Sequence, residues 1–165
     1  MSSSTLERWT AAVVTISDSS ASGTREDLSG PAVASLLEQK QFQIVAREVV
    51  PDEQAAIQTV LLRLCTKARL VVTTGGTGIA PRDVTPEATM AVCERIVPGI
   101  AERMRLEGAE KTKLAALSRG VCGSRGESLI LNLPGSPKGA IESLEAVVDL
   151  MPHALKLLAG DTRHS

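Results

Sequence analysis

Short runs rich in β-branched residues alternate along this chain with segments whose apolar residues recur at helical spacing. The alternation predicts strands over 11–16, 42–50, 70–74, 120–122 and 128–133, and helices over 31–39, 52–67, 86–96 and 141–158, with one further short helix ending near Leu106. Strands separated by helices are typical of βαβ units, in which helices cover both faces of a parallel sheet. We therefore expect an α/β fold. The 165 residues suit a single domain, with an ordered core over about 8–160.

Proline and capping residues predict several element boundaries. We expect Thr85 to cap the helix that Pro86 begins, and Pro152 to kink or divide the last helix. A turn over 124–126 would join the last two strands. The stretch 108–113 follows neither a helical nor a strand pattern.

Aromatic residues are almost absent from the chain, which has one Phe, one Trp and no Tyr. Proteins that bind single-stranded nucleic acid stack bases on aromatic side chains, and this chain offers almost none. The net charge of −1 provides no overall field that would attract a polyanion. We therefore expect no nucleic-acid partner, and a core built from aliphatic residues.

The three cysteines, Cys65, Cys93 and Cys122, form no Cys-x-x-Cys pair, so the sequence indicates neither a zinc site nor a disulfide framework. Cys65 and Cys93 fall in apolar helical patterns, and we expect both to be buried. The N-terminal residues lack the apolar stretch of a signal peptide, and no run reaches the roughly 18 apolar residues of a membrane span. The expected location is the cytoplasm, with no membrane partner.

Polar segments follow the predicted strands at the points where the strands end. In an open parallel sheet, ligands bind beyond the carboxyl ends of the strands, so these segments are expected to form one site. Ser17 and Ser19, in the loop after the first strand, could bond a ligand or simply cap that loop. The other three segments are 51–53, 74–78 and 132–138.

The segment Gly75-Gly76-Thr77-Gly78 follows the third strand. Successive glycines remove side-chain bulk and permit positive φ, so that backbone N–H groups can converge on an anion. The segment matches neither a Walker A loop nor the dinucleotide-binding glycine pattern. Taken alone, it fits a tight turn between a strand and a helix as well as it fits a phosphate site.

Two aspartates lie near this glycine loop. Asp83 follows it closely, and a carboxylate beside bound phosphate is explained by a divalent cation, because Mg²⁺ prefers carboxylate, phosphate and water oxygens. Asp52 follows the end of the neighbouring strand, where it could share that cation. The alternatives are a turn aspartate for Asp83 and a helix N-cap for Asp52.

Basic and nucleophilic residues complete the set of candidates. Lys138 could neutralise a phosphate or lie solvated in the first turn of the last helix. Arg82, Arg119 and Arg125 are candidate anion contacts. The two histidines, His153 and His164, are far apart in the sequence and are not expected to be catalytic. The site chemistry therefore has to depend on positioning and charge, which suffice for phosphoryl or nucleotidyl transfer.

Five ordered motifs resemble the signature of the molybdenum-cofactor biosynthesis family, which includes the MogA and MoaB proteins and the G domains of gephyrin-like proteins. The longest motif is 73–89, TTGGTGIAPRDVTPEAT; the others lie at 16–31, 50–53, 117–119 and 131–139. The resemblance covers about residues 10–160. It implies a three-layer α/β/α sandwich and a homotrimer.

The resemblance also implies a reaction. Molybdopterin adenylyltransferases of this family transfer AMP from ATP to the terminal phosphate of molybdopterin and release pyrophosphate, with Mg²⁺ as cofactor. A partner that inserts molybdate would receive the product. The alternative is a molybdopterin-binding or scaffold protein of the MoaB type that lacks adenylyl transfer. The segment 105–117 matches the family least.

Site residues are carried over from the matching motifs. Asp52 and Asp83 match the catalytic, Mg²⁺-binding aspartates of the family. The ATP-binding positions are expected at Ser17, Asp18, Gly75, Gly76, Thr77, Gly78, Pro134, Gly135 and Ser136. The molybdopterin-binding positions are expected at Ser118, Arg82 and Lys138.

Overall fold

A sheet of six strands organises the part of the chain that the computed structural model describes, residues 8–163. The strands are β1 (Thr10–Ile16), β2 (Gln43–Val50), β3 (Leu70–Thr74), β4 (Arg95–Ile96), β5 (Cys122–Arg125) and β6 (Ser128–Leu133). Their order across the sheet is β2-β1-β3-β6-β5-β4. The first four run parallel, and β5 runs antiparallel to both β6 and β4. The predicted, mostly parallel sheet is confirmed.

Helices cover both faces of this sheet. They are α1 (Asp18–Ala21), α2 (Ser29–Gln39), α3 (Gln54–Leu64), α4 (Thr85–Val92), α5 (Pro98–Lys111), α6 (Pro137–Val147) and α7 (Met151–Leu158), with 3₁₀ turns at Lys113–Leu117 and Val148–Leu150. None of the helices between residues 8 and 163 has the length and apolar character needed to cross a membrane.

Two hydrophobic cores make the fold a three-layer α/β/α sandwich, as predicted. Successive side chains of a strand point to opposite faces, so Ala11 and Val13 join one core while Ala12 and Val14 join the other. Helices α2, α5, α6 and α7 pack on the first face, and α3 and α4 pack on the second. Both cores are almost wholly aliphatic.

The region after α4 departs from the prediction. The helix expected over 86–96 ends at Val92, because Cys93 is extended and Arg95–Ile96 pairs with β5 as an edge strand. Thr85 is the first helical residue rather than the cap, and its hydroxyl donates to the Gly75 carbonyl oxygen at 2.9 Å. A two-residue strand depends on its distant partner, so local periodicity does not identify it.

Other boundaries also shift. The strand expected over 120–122 lies at Cys122–Arg125, so the turn to β6 falls at 126–127 rather than at 124–126. The last helix begins earlier than expected, at Pro137, where the Ser136 hydroxyl caps it by accepting from the Gly139 N–H. It is divided before Pro152, as predicted. The stretch 108–113 contributes the end of α5.

The cysteines are free thiols. Cys122 is buried, whereas Cys65 and Cys93 are only half-buried, so the expectation of full burial was wrong for those two. Burial raises the pKa of Cys93 to about 11 and that of Cys122 to about 12. Thiols with such values are protonated at neutral pH and act as small apolar groups.

Candidate active site

A cavity of about 370 Å³ opens at the carboxyl ends of the parallel strands. Four loops contribute to its wall, because β1, β2, β3 and β6 all end at the same edge of the sheet. Among the predicted residues, its lining includes Ser17, Asp52, Gly75, Gly76, Asp83, Gly135 and Ser136. The strand-end argument therefore located a polar cavity at this edge of the sheet.

The glycine loop is held tightly between its neighbours. Gly75 and Gly76 have φ values of +96° and +68°. A Cβ atom at Gly75 would lie 2.2 Å from the Ile16 carbonyl oxygen, so only glycine lets the loop approach the end of β1. The Gly75 N–H donates to the Leu133 carbonyl at 3.0 Å. The loop is therefore held between the ends of β1 and β6.

Asp52 is oriented by the loop after β1. The Asp18 N–H donates to Asp52 Oδ2 at 2.9 Å, and the Asp52 N–H donates to Asp18 Oδ1 at 3.0 Å. The N-cap position of α3 belongs to Glu53, so Asp52 does not cap this helix. Burial raises the pKa of Asp52, and the nearby Asp18 and Asp83 carboxylates raise it further.

Asp83 lines the same cavity as Asp52 and Gly76. Its Oδ2 accepts from the Ala80 N–H at 3.0 Å, so it is also the turn aspartate that the alternative interpretation described. No group of three or more His, Cys, Asp or Glu side chains that could hold a metal occurs within residues 8–163. Two carboxylates with phosphate and water oxygens nevertheless fit Mg²⁺, which usually keeps several waters and takes few protein ligands.

Asp18 and Arg82 pair with each other outside the cavity. Arg82 Nε and Nη2 donate to the two carboxylate oxygens of Asp18 at 3.0 and 2.8 Å. This pairing lowers the pKa of Asp18. Arg82 is thus paired with a residue of a neighbouring loop. Neither Asp18, predicted to bind ATP, nor Arg82, predicted to bind molybdopterin, lines this cavity.

Several other predicted residues also lie away from this cavity. Thr77 is buried, and Gly78 lies against the Asp83 carboxylate. Ser118 and Pro134 line a small separate cavity with Arg105. Lys138 is 86% exposed and lies 4.0 Å from Glu142, one helical turn along α6. His153 is exposed on α7, and His164 is outside the described residues.

Sequence reasoning did not assign the residues that form the back wall of the cavity. Asp27 accepts from the Thr15 hydroxyl at 2.7 Å and from the Gly30 N–H at 3.0 Å. The Ser29 and Thr74 hydroxyls lie 2.9 Å apart and share a hydrogen bond. The available signal was Asp-x-Ser-Gly at 27–30, which belongs to the first family-like motif.

Two of the arginines proposed as anion contacts bond main-chain oxygens instead. Arg125 Nη1 donates to the Val92 carbonyl at 3.0 Å. Arg119 donates to the carbonyls of Gly78 and Asp83. The carbonyl groups that these arginines bond lie 33 to 41 residues away in the sequence. Sequence spacing therefore does not indicate these partners.

Comparisons with known proteins find relatives over most of the chain. The family described as "probable molybdopterin binding domain" matches residues 12–153. The molybdopterin adenylyltransferase of Helicobacter pylori J99 is 42% identical over 153 residues, covering 90% of this chain and 87% of that protein. That of Escherichia coli K12 is 41% identical over 165 aligned residues, covering 90% and 84%. The crystal structure of the molybdopterin biosynthesis enzyme MoaB of Thermus thermophilus superposes with a TM-score of 0.87 and 51% identity, covering 92% of this chain and 97% of that one.

Proposed function

Because the chain belongs to the family of probable molybdopterin-binding domains, we propose that it is a molybdopterin adenylyltransferase that uses Mg²⁺ and ATP. One observation of the structure supports this proposal most: Asp52, from the loop after β2, faces one cavity with Asp83 and the glycine loop, which both belong to the loop after β3. A cavity lined by charged side chains suits a nucleoside triphosphate together with its divalent cation.

The reaction needs no protein nucleophile. An oxygen of the molybdopterin phosphate attacks the α-phosphorus of ATP, and the bond from that phosphorus to the oxygen bridging to the β-phosphorus breaks. Pyrophosphate leaves with the electron pair of that bond. A phosphate dianion is already nucleophilic, so no general base is required, and the thiols and histidines described above need no role.

The chain contributes position and charge. The closely packed loop around Gly75 and Gly76 would hold the nucleotide in line for attack, together with the turn at Gly135–Ser136. Asp83 and Asp52 would hold Mg²⁺, which would offset the negative charge of the phosphates. Ser118 lies in the neighbouring small cavity with Pro134, and this separation allows molybdopterin to approach from that side.

A direct assay tests the proposal. Purified protein is mixed with ATP, Mg²⁺ and molybdopterin, and the products are separated to detect adenylyl-molybdopterin and pyrophosphate. We expect both products in equal amounts, and omission of either substrate should abolish them.

The second candidate is a molybdopterin-binding or scaffold protein of the MoaB type without adenylyl transfer. The observation in its favour is the 51% identity to the Thermus thermophilus MoaB, which exceeds the 42% identity to the Helicobacter pylori adenylyltransferase. Binding of molybdopterin with no adenylyl product in the same assay would establish it. The homotrimer, the cytoplasmic location and the hand-over to a molybdate-inserting partner stay predictions.

A further inference from the structure

The guanidinium group of Arg119 bonds several residues of the segment 77–87, which carries Asp83. Arg119 lies between the 3₁₀ turn at Lys113–Leu117 and β5. Its Nε donates to the Gly78 carbonyl at 2.7 Å, and its Nη2 donates to the Asp83 carbonyl at 2.8 Å. Its Nη1 pairs with the Glu87 carboxylate on α4. Its main-chain N–H donates to the Thr77 carbonyl at 2.8 Å, so four bonds join Arg119 to residues 77–87.

Apolar packing contributes little to the shape of residues 79–82, the part of this segment that leads to Asp83. Ile79 is 69% exposed, and residues 80–82 are exposed as well. Inside the segment, a turn joins Ala80 and Asp83: the Asp83 N–H donates to the Ala80 carbonyl, and the Asp83 carboxylate accepts from the Ala80 N–H. Arg119 bonds the carbonyl of Gly78, two residues before the turn, and the carbonyl of Asp83, the last residue of the turn, so the position of the Asp83 carboxylate depends on that guanidinium group.

Glu87 makes the arrangement specific for arginine. Arg119 lowers the pKa of Glu87, which keeps this carboxylate charged against the guanidinium. The pairing also balances the charge of Arg119, so little of it remains to attract a phosphate. A lysine has no planar fork that could reach two carbonyls and a carboxylate at once.

We propose that Arg119 is a positioning residue that fixes Asp83 toward the cavity and acts on the reaction only through Asp83. This inference rests on the proposed adenylyl transfer. The competing role is direct contact with molybdopterin. Arg119 also lines another cavity, distinct from the two described above, to which Ser118 and Arg105 contribute as well. The two roles predict different kinetic changes.

The test is the substitution Arg119→Lys in the full chain. A positioning role predicts that kcat falls roughly 10- to 100-fold, as for residues that orient metal ligands, while KM for molybdopterin stays within about twofold. The Mg²⁺ concentration for half-maximal rate should rise. A direct contact predicts instead that KM for molybdopterin rises while kcat is retained, and that outcome would overturn the proposal.

A second readout does not depend on turnover. Hydrogen exchange of the Ala80 and Asp83 amides should accelerate about tenfold in Arg119→Lys, whereas amides of the central strand β3 should keep their protection. Unchanged exchange at these two amides would refute the proposal whether or not the wild-type protein adenylylates molybdopterin. If only the proposed function is wrong, the wild-type protein gives no adenylyl-molybdopterin, but the amides of Ala80 and Asp83 still exchange faster in Arg119→Lys.

Arg103→Lys is the matched control. Arg103 Nε donates to the Ala146 carbonyl at 2.8 Å and its guanidinium pairs with Glu107, so the same kinds of bond are lost on α5, away from the glycine loop. This variant should keep wild-type kcat and wild-type exchange at Ala80. If Arg119→Lys does not fold, Glu87→Gln removes the charge partner alone and should shift kcat and exchange in the same direction by a smaller factor.

Discussion

At the residue scale, the two aspartates that line the cavity, Asp52 and Asp83, differ in the hydrogen bonds that orient them. Asp52 exchanges reciprocal bonds with Asp18, across two loops, and its partial burial disfavours the charged form. Asp83 bonds within its own turn, which Arg119 holds from outside. A carboxylate charge kept in a partly buried position, as at Asp52, serves function and lowers the stability of the fold. This trade-off is common in binding sites.

Asp52→Asn should therefore stabilise the metal-free protein while it abolishes adenylyl transfer. Since the folded pKa of Asp52 is raised, the wild-type protein loses stability relative to the variant as pH increases from the ordinary carboxyl pKa of the unfolded chain up to that raised pKa. The free energy of unfolding of Asp52→Asn should exceed that of the wild type at pH 7, and the two should be equal below the ordinary carboxyl pKa of about 4. The difference should be smaller than about 1 kcal/mol, because water still reaches the carboxylate. Thermal unfolding in chelator at several pH values measures it.

The control for this prediction is Asp149→Asn. The Asp149 side chain is 83% exposed and pairs with Lys40 at 3.4 Å on the surface. Its substitution should change the unfolding temperature little at any pH. A loss of stability in Asp52→Asn at pH 7 would contradict the proposed effect of burial on the Asp52 carboxylate.

At the element scale, one buried amide joins four parts of the fold. Asn132, the only asparagine of the chain, lies on β6 and is 1% exposed. Its Nδ2 donates to the hydroxyls of Thr73 on β3 and Thr89 on α4, at 3.0 and 2.9 Å. Its Oδ1 accepts from the Val121 N–H at 3.1 Å. This network places α4, and with it the segment after the glycine loop, against the sheet.

Asn132→Ala should lower the free energy of unfolding by about 2–4 kcal/mol, since it leaves buried polar groups unsatisfied and opens a cavity. Urea denaturation with an unchanged slope would measure the loss. Gln54→Ala, which removes an exposed amide at the start of α3, should stay within about 0.5 kcal/mol. A loss below about 1 kcal/mol for Asn132→Ala would show that the network adds little.

At the scale of the whole molecule, the parallel sheet separates the aromatic residues from the site. Trp9 directly precedes β1 and Phe42 directly precedes β2, at the amino ends of the strands, whereas the cavity lies at the carboxyl ends. The seven residues of β1 span roughly 20 Å at about 3.3 Å per residue. Within one chain, adenine and the pterin must therefore be held by backbone groups, proline and aliphatic side chains.

This separation predicts the fluorescence of the protein. Trp9 is its single tryptophan, so intrinsic emission reports on that end of the sheet alone. Saturating ATP and Mg²⁺ should leave the emission unchanged after correction for absorbance, while unfolding in guanidinium should shift it. Quenching that follows the ATP binding curve would mean that the nucleotide lies near an aromatic ring, in conflict with the proposed site.

Much of this architecture follows from local sequence patterns. The β-branched runs predict four parallel strands, and the strand-end rule then brings Asp52, Asp83 and Gly76 to one cavity. Pairing partners over long distances are different, since the edge strand at Arg95–Ile96 exists only because β5 lies beside it. The same limit applies to Arg82 with Asp18, and to Ser118 in its separate cavity, where tertiary packing decides which groups meet.

The most direct test of the proposed chemistry compares wild-type protein with Asp83→Asn in the adenylyl-transfer assay. Asparagine can still accept the hydrogen bond from the Ala80 N–H, so the fold and the unfolding temperature should be retained. Loss of the carboxylate should reduce adenylyl-molybdopterin formation at least about 100-fold, as for loss of a main electrostatic group of a site. Near-wild-type turnover by folded Asp83→Asn would contradict the assignment of Asp83 to catalysis.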